Sequence, residues 1–313
     1  MDNMKTSLSK EKKTSQEQNQ LSLWKIWYLA IRPKTLPAAT GPVIMGIGLA
    51  LGDGVFKLGP ALGALLAALL LQIGSNLAND VYDFKKGTDT QERTGPLRVT
   101  QAGLLSPRQV MAGMGLVFAL AALLGLYLVY TGGWPILAIG ILAIISAIAY
   151  TAGPFPLGYK GVADIFVFIF FGPAAVCGTY YLQTGYLTAA VWWASLPPGL
   201  LVTAILVVNN LRDIETDRKA GKKTLAVRFG VRFTQVQYVA LVSLAYLVPV
   251  LMWLKGQAPF TVLIAWLSIP LLIPAFKDVF TKKGPPLNAT LARTAQGGLL
   301  FSILFAAGYL LAL

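Results

Sequence analysis

Two polar stretches interrupt an otherwise apolar chain. The first is NLANDVYDFKKGTDTQERTGPLR, residues 76–98, and the second is NNLRDIETDRKAGKKTLAVRFG, residues 209–230. Asn76, Asp80 and Asp83 recur at i, i+4, i+7, and Asn209, Asp213 and Asp217 at i, i+4, i+8. On a helix each set shares one face. Carboxylates stacked in this way repel one another, and one carried into a bilayer costs about 2.5–3.5 kcal/mol on insertion scales. A divalent cation offsets both. Mg2+ takes oxygen ligands, usually one or two carboxylates completed by water and phosphate oxygens. Two such clusters facing each other would hold a pair of ions with a diphosphate between them. The neighbouring cations suit that chemistry. Lys85, Lys86, Arg93 and Arg98 follow the first set; Arg212, Arg218, Lys219, Lys222, Lys223 and Arg228 accompany the second. Arg forks grip phosphate oxygens at two points and Lys acts as a point charge, so both can stabilise a departing diphosphate. The plainer reading is that charge gathers in the loops of any membrane protein. Two sets with the same Asn-x3-Asp spacing weigh against it.

Such clusters need elements to carry them, and the composition says which. Of 313 residues, 56% are hydrophobic and 12% charged, with mean hydropathy +0.64; soluble domains carry about 25% charged residues. A spanning helix needs about 20 mostly apolar residues. Nine segments qualify, near 35–52, 59–80, 109–130, 134–151, 162–182, 188–209, 235–254, 259–276 and 292–312. The preceding LSLWKIWYLAIR, with Trp24, Trp27 and Tyr28 beside Lys25, fits an amphipathic helix lying at the interface. With the amino terminus in the cytosol, 24 of the 26 Lys and Arg fall on the inside and only Lys57 and Lys255 outside. The expectation is an all-α, multi-pass protein of the cell membrane, with its carboxyl terminus on the opposite side and both clusters facing the cytosol. The clusters end the second and sixth spans, an offset of four that implies two related four-helix halves plus a ninth helix.

Residues 1–20 are polar, without the apolar stretch of a signal peptide. They are expected to form a disordered cytosolic tail before a single domain over 21–313. The chain has no histidine and one cysteine, Cys177. This excludes Ser-His-Asp and Cys-His catalysis and His-ligated zinc, and Cys177 reads as a packing residue. The net charge of +13 follows from topology and attraction to anionic membrane lipid; no nucleic-acid module is present. YTAGPFPLGYKGVAD, residues 150–164, forms a tight inside loop with Tyr150, Tyr159, Lys160 and Asp164. RPKTLPA, residues 32–38, breaks the chain ahead of the first span.

These four blocks, in this order, resemble the UbiA superfamily of intramembrane aromatic prenyltransferases, over nearly all the chain from about residue 24. Within it they are most similar to the branch acting on 1,4-dihydroxy-2-naphthoate. The resemblance implies nine helices around a central cavity open sideways to lipid, and two acidic motifs that bind Mg2+ and the diphosphate of a polyprenyl diphosphate donor. The family's first motif is Asn-Asp-x2-Asp-x3-Asp. Asn79, Asp80 and Asp83 match it; Gly87 stands at the last acidic place, with Asp89 two residues on as the substitute. Asp213 and Asp217 match the second motif, Asp-x3-Asp. The implied ligands of the metal, two ions, are Asp80, Asp83, Asp89, Asp213 and Asp217. Lys86, Arg93, Arg98, Arg212, Lys222 and Lys223 are implied to bind diphosphate. Asn76, Asn79, Asn209, Tyr150 and Arg32 are implied substrate contacts, and Lys160 a catalytic cation of the central loop. The implied reaction joins the polyprenyl group to the naphthoate ring with loss of CO2 and diphosphate, giving demethylmenaquinone. Other aromatic acceptors of the superfamily (4-hydroxybenzoate, homogentisate, chlorophyllide, haem) remain alternatives. A secondary transporter fits less well, since its ionisable groups sit near the midplane. The Asp-Gly-x2-Ala-Arg motif of CDP-alcohol phosphotransferases is absent.

Overall fold

The computed structural model describes residues 21–88 and 94–311. The expected tail, and the roles expected of Asp89 and Arg93, lie outside the described residues. Every regular element among those described is helical. A short helix α1 (Leu23–Ile31) leads into α2 (Leu36–Gly52), α3 (Leu58–Lys85), α4 (Pro107–Gly132), α5 (Trp134–Ala149), α6 (Ala163–Thr184), α7 (Ala189–Arg212), α8 (Leu225–Leu254), α9 (Phe260–Thr281) and α10 (Leu287–Leu310). Eight described stretches are long and apolar enough to cross a membrane, with α1 and α2 together making the first. The chain is a multi-pass membrane protein. The segment expected to cross at 134–151 is short: α5 has 16 residues, a rise of about 24 Å at 1.5 Å per residue against a hydrocarbon core of roughly 30 Å, yet it returns the chain to the C-terminal end of α3, where Thr151 meets Asn79 and Lys86. The described residues thus contain eight full-length spans and one short apolar helix.

Local chemistry sets the helix ends. Ser106 and Gln109 form a capping box ahead of α4, with Pro107 in the first turn. Thr188 and Thr224 cap α7 and α8 through their hydroxyls. A π-helical turn at Phe170–Ala174, containing Pro173, interrupts α6. There Gly172 meets Gly199 of α7 so closely that an added Cβ would lie 2.8 Å from the Ser195 carbonyl oxygen. Small residues permit such close crossings in a bilayer, where van der Waals contact rather than water drives helix association. The largest core lies among α2 and α6–α10, around Tyr180, Tyr238, Phe301 and Phe305. A smaller one joins α1, α3 and α4 through Ala30, Leu77, Val81, Val99 and Val110. Leu116, Leu120 and Leu123 on α4 stay exposed, as a lipid-facing surface requires.

Two boundaries differ from expectation in ways that matter for chemistry. Helix α3 runs to Lys85 rather than ending near 80, so Asp80 and Asp83 belong to the helix and not to a loop. Helix α8 starts at Leu225, ten residues early, with a non-helical Gly230 (φ 82°) marking a kink. The segment 222–233 is therefore built onto the bundle.

Candidate active site

The charged ends of α3 and α7 and the uncharged polar ends of α5 and α10, with Thr151 and Asn288, converge at one end of the bundle. Asp80 is fully buried. Its carboxylate accepts from the backbone N–H of Val99 (3.1 Å) and Thr100 (3.0 Å), and Arg32 lies 3.5 Å away. One turn on, Asp83 accepts from Arg98 (2.9 Å) and from the Tyr159 hydroxyl (2.6 Å). Across the site, Asp213 caps the C-terminus of α7 and accepts from Arg212 Nε at 2.8 Å and from the Thr94 hydroxyl. Asp217, on the short helix Ile214–Lys219, pairs with Lys222 at 3.2 Å. The second set therefore does not ride one unbroken helix as its spacing implied. The chain bends at Asp213, yet the Asp217 N–H still bonds the Asp213 carbonyl at 2.8 Å, which keeps the two a turn apart.

The polar residues divide by task. Asn209 accepts from Arg212 at 2.7 Å, and Arg212 also reaches Asn288 of α10 at 2.7 Å. Asn79 accepts from the Thr151 hydroxyl at 3.1 Å, while Lys86 donates to the Thr151 carbonyl at 2.6 Å. Asn76 is turned to a different use. Its amide donates to the Ile31 carbonyl and the Thr35 hydroxyl, both at 2.9 Å, filling an acceptor that the end of α1 leaves open. Arg32 at that break is the only non-glycine described residue with positive φ, 53°, a conformation costing roughly 1–2 kcal/mol. The break thus sets Arg32 beside Asp80. Gly87 closes α3 in a left-handed turn (φ 67°). Lys160 and Lys223 are not drawn into the acidic cluster: the Lys160 ammonium lies over the Phe155 ring at 5.3 Å, and Lys223 contributes its backbone N–H, to the Tyr159 carbonyl at 2.8 Å.

Electrostatics ties the two sets together. Burial raises the Asp217 carboxyl above its ordinary value; Lys222 pulls it back, and Asp213 and Asp83 push it up again. Burial lowers the Lys86 ammonium, opposed by Asp83 and reinforced by Lys222. Carboxylates from both motifs therefore sense one another. Every nearby donor is oxygen, from Asp, Asn, Tyr and Thr, which suits a hard divalent cation. Among the described residues no three acids stand close enough to enclose an ion alone, so water and phosphate oxygens would complete the shell.

Beside this cluster opens an apolar cavity of about 370 Å3 between α2, α3, α4, α5 and α6. Tyr150 and Leu157 line its charged end; Leu128, Ile136 and Leu182 line the far end. Phe166, Phe170 and Phe171 line the wall between. Four contributors carry no role in the sequence reading: Tyr159, Thr94, Thr151 and Asn288. Tyr159 stood in the Pro/Gly loop beside Lys160, without a signal of its own. The others come from loops and helices remote in sequence, and their placement required the fold.

Known proteins place this geometry in context. Residues 39–295 match the model of the UbiA prenyltransferase family. The chain is 39% identical over 297 residues to a 1,4-dihydroxy-2-naphthoate octaprenyltransferase of Haemophilus influenzae, covering 92% of this chain and 96% of that one. It is 38% identical to the Escherichia coli protein of the same name, covering 94% and 98%. In fold it is similar to a UbiA homolog from Archaeoglobus fulgidus bound to DMAPP and Mg2+, with a TM-score of 0.64 at 18% identity over 92% of this chain and 99% of that one. Matched across most of its length by the family model and by full-length relatives, the chain belongs to the UbiA prenyltransferase family.

Proposed function

We propose that this protein transfers a polyprenyl group from a polyprenyl diphosphate to 1,4-dihydroxy-2-naphthoate, releasing diphosphate and CO2 and yielding the prenylated naphthalenediol, the reduced form of demethylmenaquinone. The observation that carries the reaction type is the meeting of two acidic sets and their cations at the mouth of an apolar cavity. The acceptor follows from the relatives named as naphthoate octaprenyltransferases. Asp83, Asp213 and Asp217, with Asp80 behind them and Asp89 beyond Gly87, would hold Mg2+, two ions in this reading. When bound, the metal neutralises the diphosphate and favours its departure. The cluster faces the cytosol and the carboxyl terminus lies on the opposite side, as the 24-to-2 distribution of Lys and Arg supports.

The chain's own residues divide the remaining work. Lys86, Lys222, Arg98 and Arg212 counter the charge that grows on diphosphate as the allylic C–O bond breaks. The cavity shelters the polyprenyl tail and keeps water from the allylic carbon, and Tyr150 with the Phe faces of α6 can stabilise positive charge there. The electron-rich ring attacks that carbon; the ring carboxylate leaves as CO2, and its bonding pair restores the aromatic ring. Purified protein supplied with the naphthoate, polyprenyl diphosphates of several lengths and Mg2+ should form the prenylated naphthalenediol, read by mass. Absence of product at every length would refute the assignment, and product only with another aromatic acid would change the acceptor.

A further inference from the structure

Tyr159 touches the first acidic set and cations from both polar segments, and it takes no part in the reaction described above. Its hydroxyl donates to Asp83 at 2.6 Å and lies 2.9 Å from the Thr88 hydroxyl. Its ring carries two ammonium groups: Lys86, from the end of α3, at 4.8 Å from the centroid, and Lys222, from the segment after α7, at 4.9 Å. Its backbone carbonyl accepts from the Lys223 N–H at 2.8 Å. One side chain thus spans the acidic set of one half and the cations of both.

The arrangement is more than a loop fastening. The backbone bond to Lys223 already fastens the loop, as does Arg228 donating to the Lys160 carbonyl at 3.0 Å. Two ammonium groups brought to one ring repel each other. The negative ring face offsets part of that repulsion, and an anion placed between the ammoniums offsets the rest. The lysines are also held from behind, Lys86 by the Thr151 carbonyl and Lys222 by Asp217.

We propose that Tyr159 is the positioning residue that assembles the diphosphate site from its two halves. Its hydroxyl fixes the orientation of Asp83, and its ring holds Lys86 and Lys222 so that both meet the same diphosphate. The proposal rests on the diphosphate reading above and deepens it by naming the residue that couples the two motifs.

Two variants of the full chain separate hydroxyl from ring. Tyr159→Phe keeps the ring; the Mg2+ concentration giving half-maximal turnover should rise about 10-fold, the lower end of what loss of a residue supporting a metal ligand costs. Binding of inorganic pyrophosphate without metal, measured by calorimetry, should match wild type in this variant. Tyr159→Leu removes the ring as well; metal-free pyrophosphate binding should weaken about 10-fold, from the loss of two cation–π contacts. The KM for the aromatic acceptor should stay unchanged in both. Unaltered pyrophosphate binding in Tyr159→Leu would overturn the ring's role, and an unaltered Mg2+ requirement in Tyr159→Phe would overturn the hydroxyl's. A uniform loss of acceptor KM, pyrophosphate binding and thermal stability would reduce Tyr159 to a structural residue. If Tyr159→Leu does not fold, Tyr159→Met, similar in reach and without a ring, takes its place in the pyrophosphate measurement. A wild-type protein that binds pyrophosphate yet prenylates nothing would count against the assigned reaction and leave this inference standing.

Discussion

The two acidic sets share a spacing and differ in nearly everything around it. In the first, α3 continues without a break through Asp80 and Asp83, and their side chains are 1% and 4% exposed. In the second, the chain bends at Asp213, and Asp213 and Asp217 are 13% and 10% exposed. Asp80 is occupied by two backbone N–H groups and Arg32, whereas Asp217 pairs, among the described residues, with Lys222, whose long side chain can reach solvent. The first set is the more deeply buried and the more fully held by its neighbours; the second is the more exposed of the two. Equal sequence spacing thus fixes which residues share a face, and the neighbours fix what each carboxylate is free to do.

The strongest test of that contrast is chelation. Removing divalent metal should abolish turnover without unfolding the chain, since the carboxylates keep partners within the protein; turnover and circular dichroism report the two outcomes. Next comes the pair of truncations. Asp80→Ala should lose activity and also about 3–5 kcal/mol of stability, because Arg32 and two N–H groups stay buried without their partner. Asp217→Ala should lose activity at least about 100-fold and cost less stability than Asp80→Ala, because burial without backbone N–H partners already disfavours the Asp217 carboxylate. Equal stability losses in denaturation profiles would erase the distinction between the more fully held set and the more exposed one. A third test uses pH. Lys86 titrates below the ordinary lysine value, so its charged form is lost earlier as pH rises. Donor affinity should weaken at a lower pH than an unperturbed lysine would give, and Lys86→Arg, which stays charged, should move that alkaline limb upward. The smallest effect is expected at Lys160. Its ammonium lies over Phe155 rather than in the cluster, so Lys160→Ala should change kcat/KM by no more than about 3-fold, the weight of one exposed cation–π contact.

Much of this was legible in the chain itself. Asp83, Asp213 and Asp217 stood out because carboxylates beside apolar spans are costly, and their neighbours Lys86 and Lys222 stood out by sign. The uses of Asn76 and Lys160 did not follow from spacing. Asn76 is in phase with Asp80 and Asp83, yet it serves the break between α1 and α2, 45 residues away in sequence. Tyr159 gave no signal because tyrosine in a membrane protein is usually read as an interfacial residue. Asn288, reaching Arg212 from α10, could not be found by any local pattern.

Composition and periodicity alone set the environment and the broad chemistry. Apolar stretches of bilayer length require spanning helices, because backbone groups have no other partner in hydrocarbon. Acids repeated at helical spacing require a compensating charge. Which acid is enclosed by backbone N–H groups and which stays partly exposed came from packing between distant segments. That packing also brought Lys86 and Lys222, 136 residues apart, to one tyrosine ring. Those outcomes depend on contacts between segments remote along the chain, and such contacts leave no periodic trace in either segment alone.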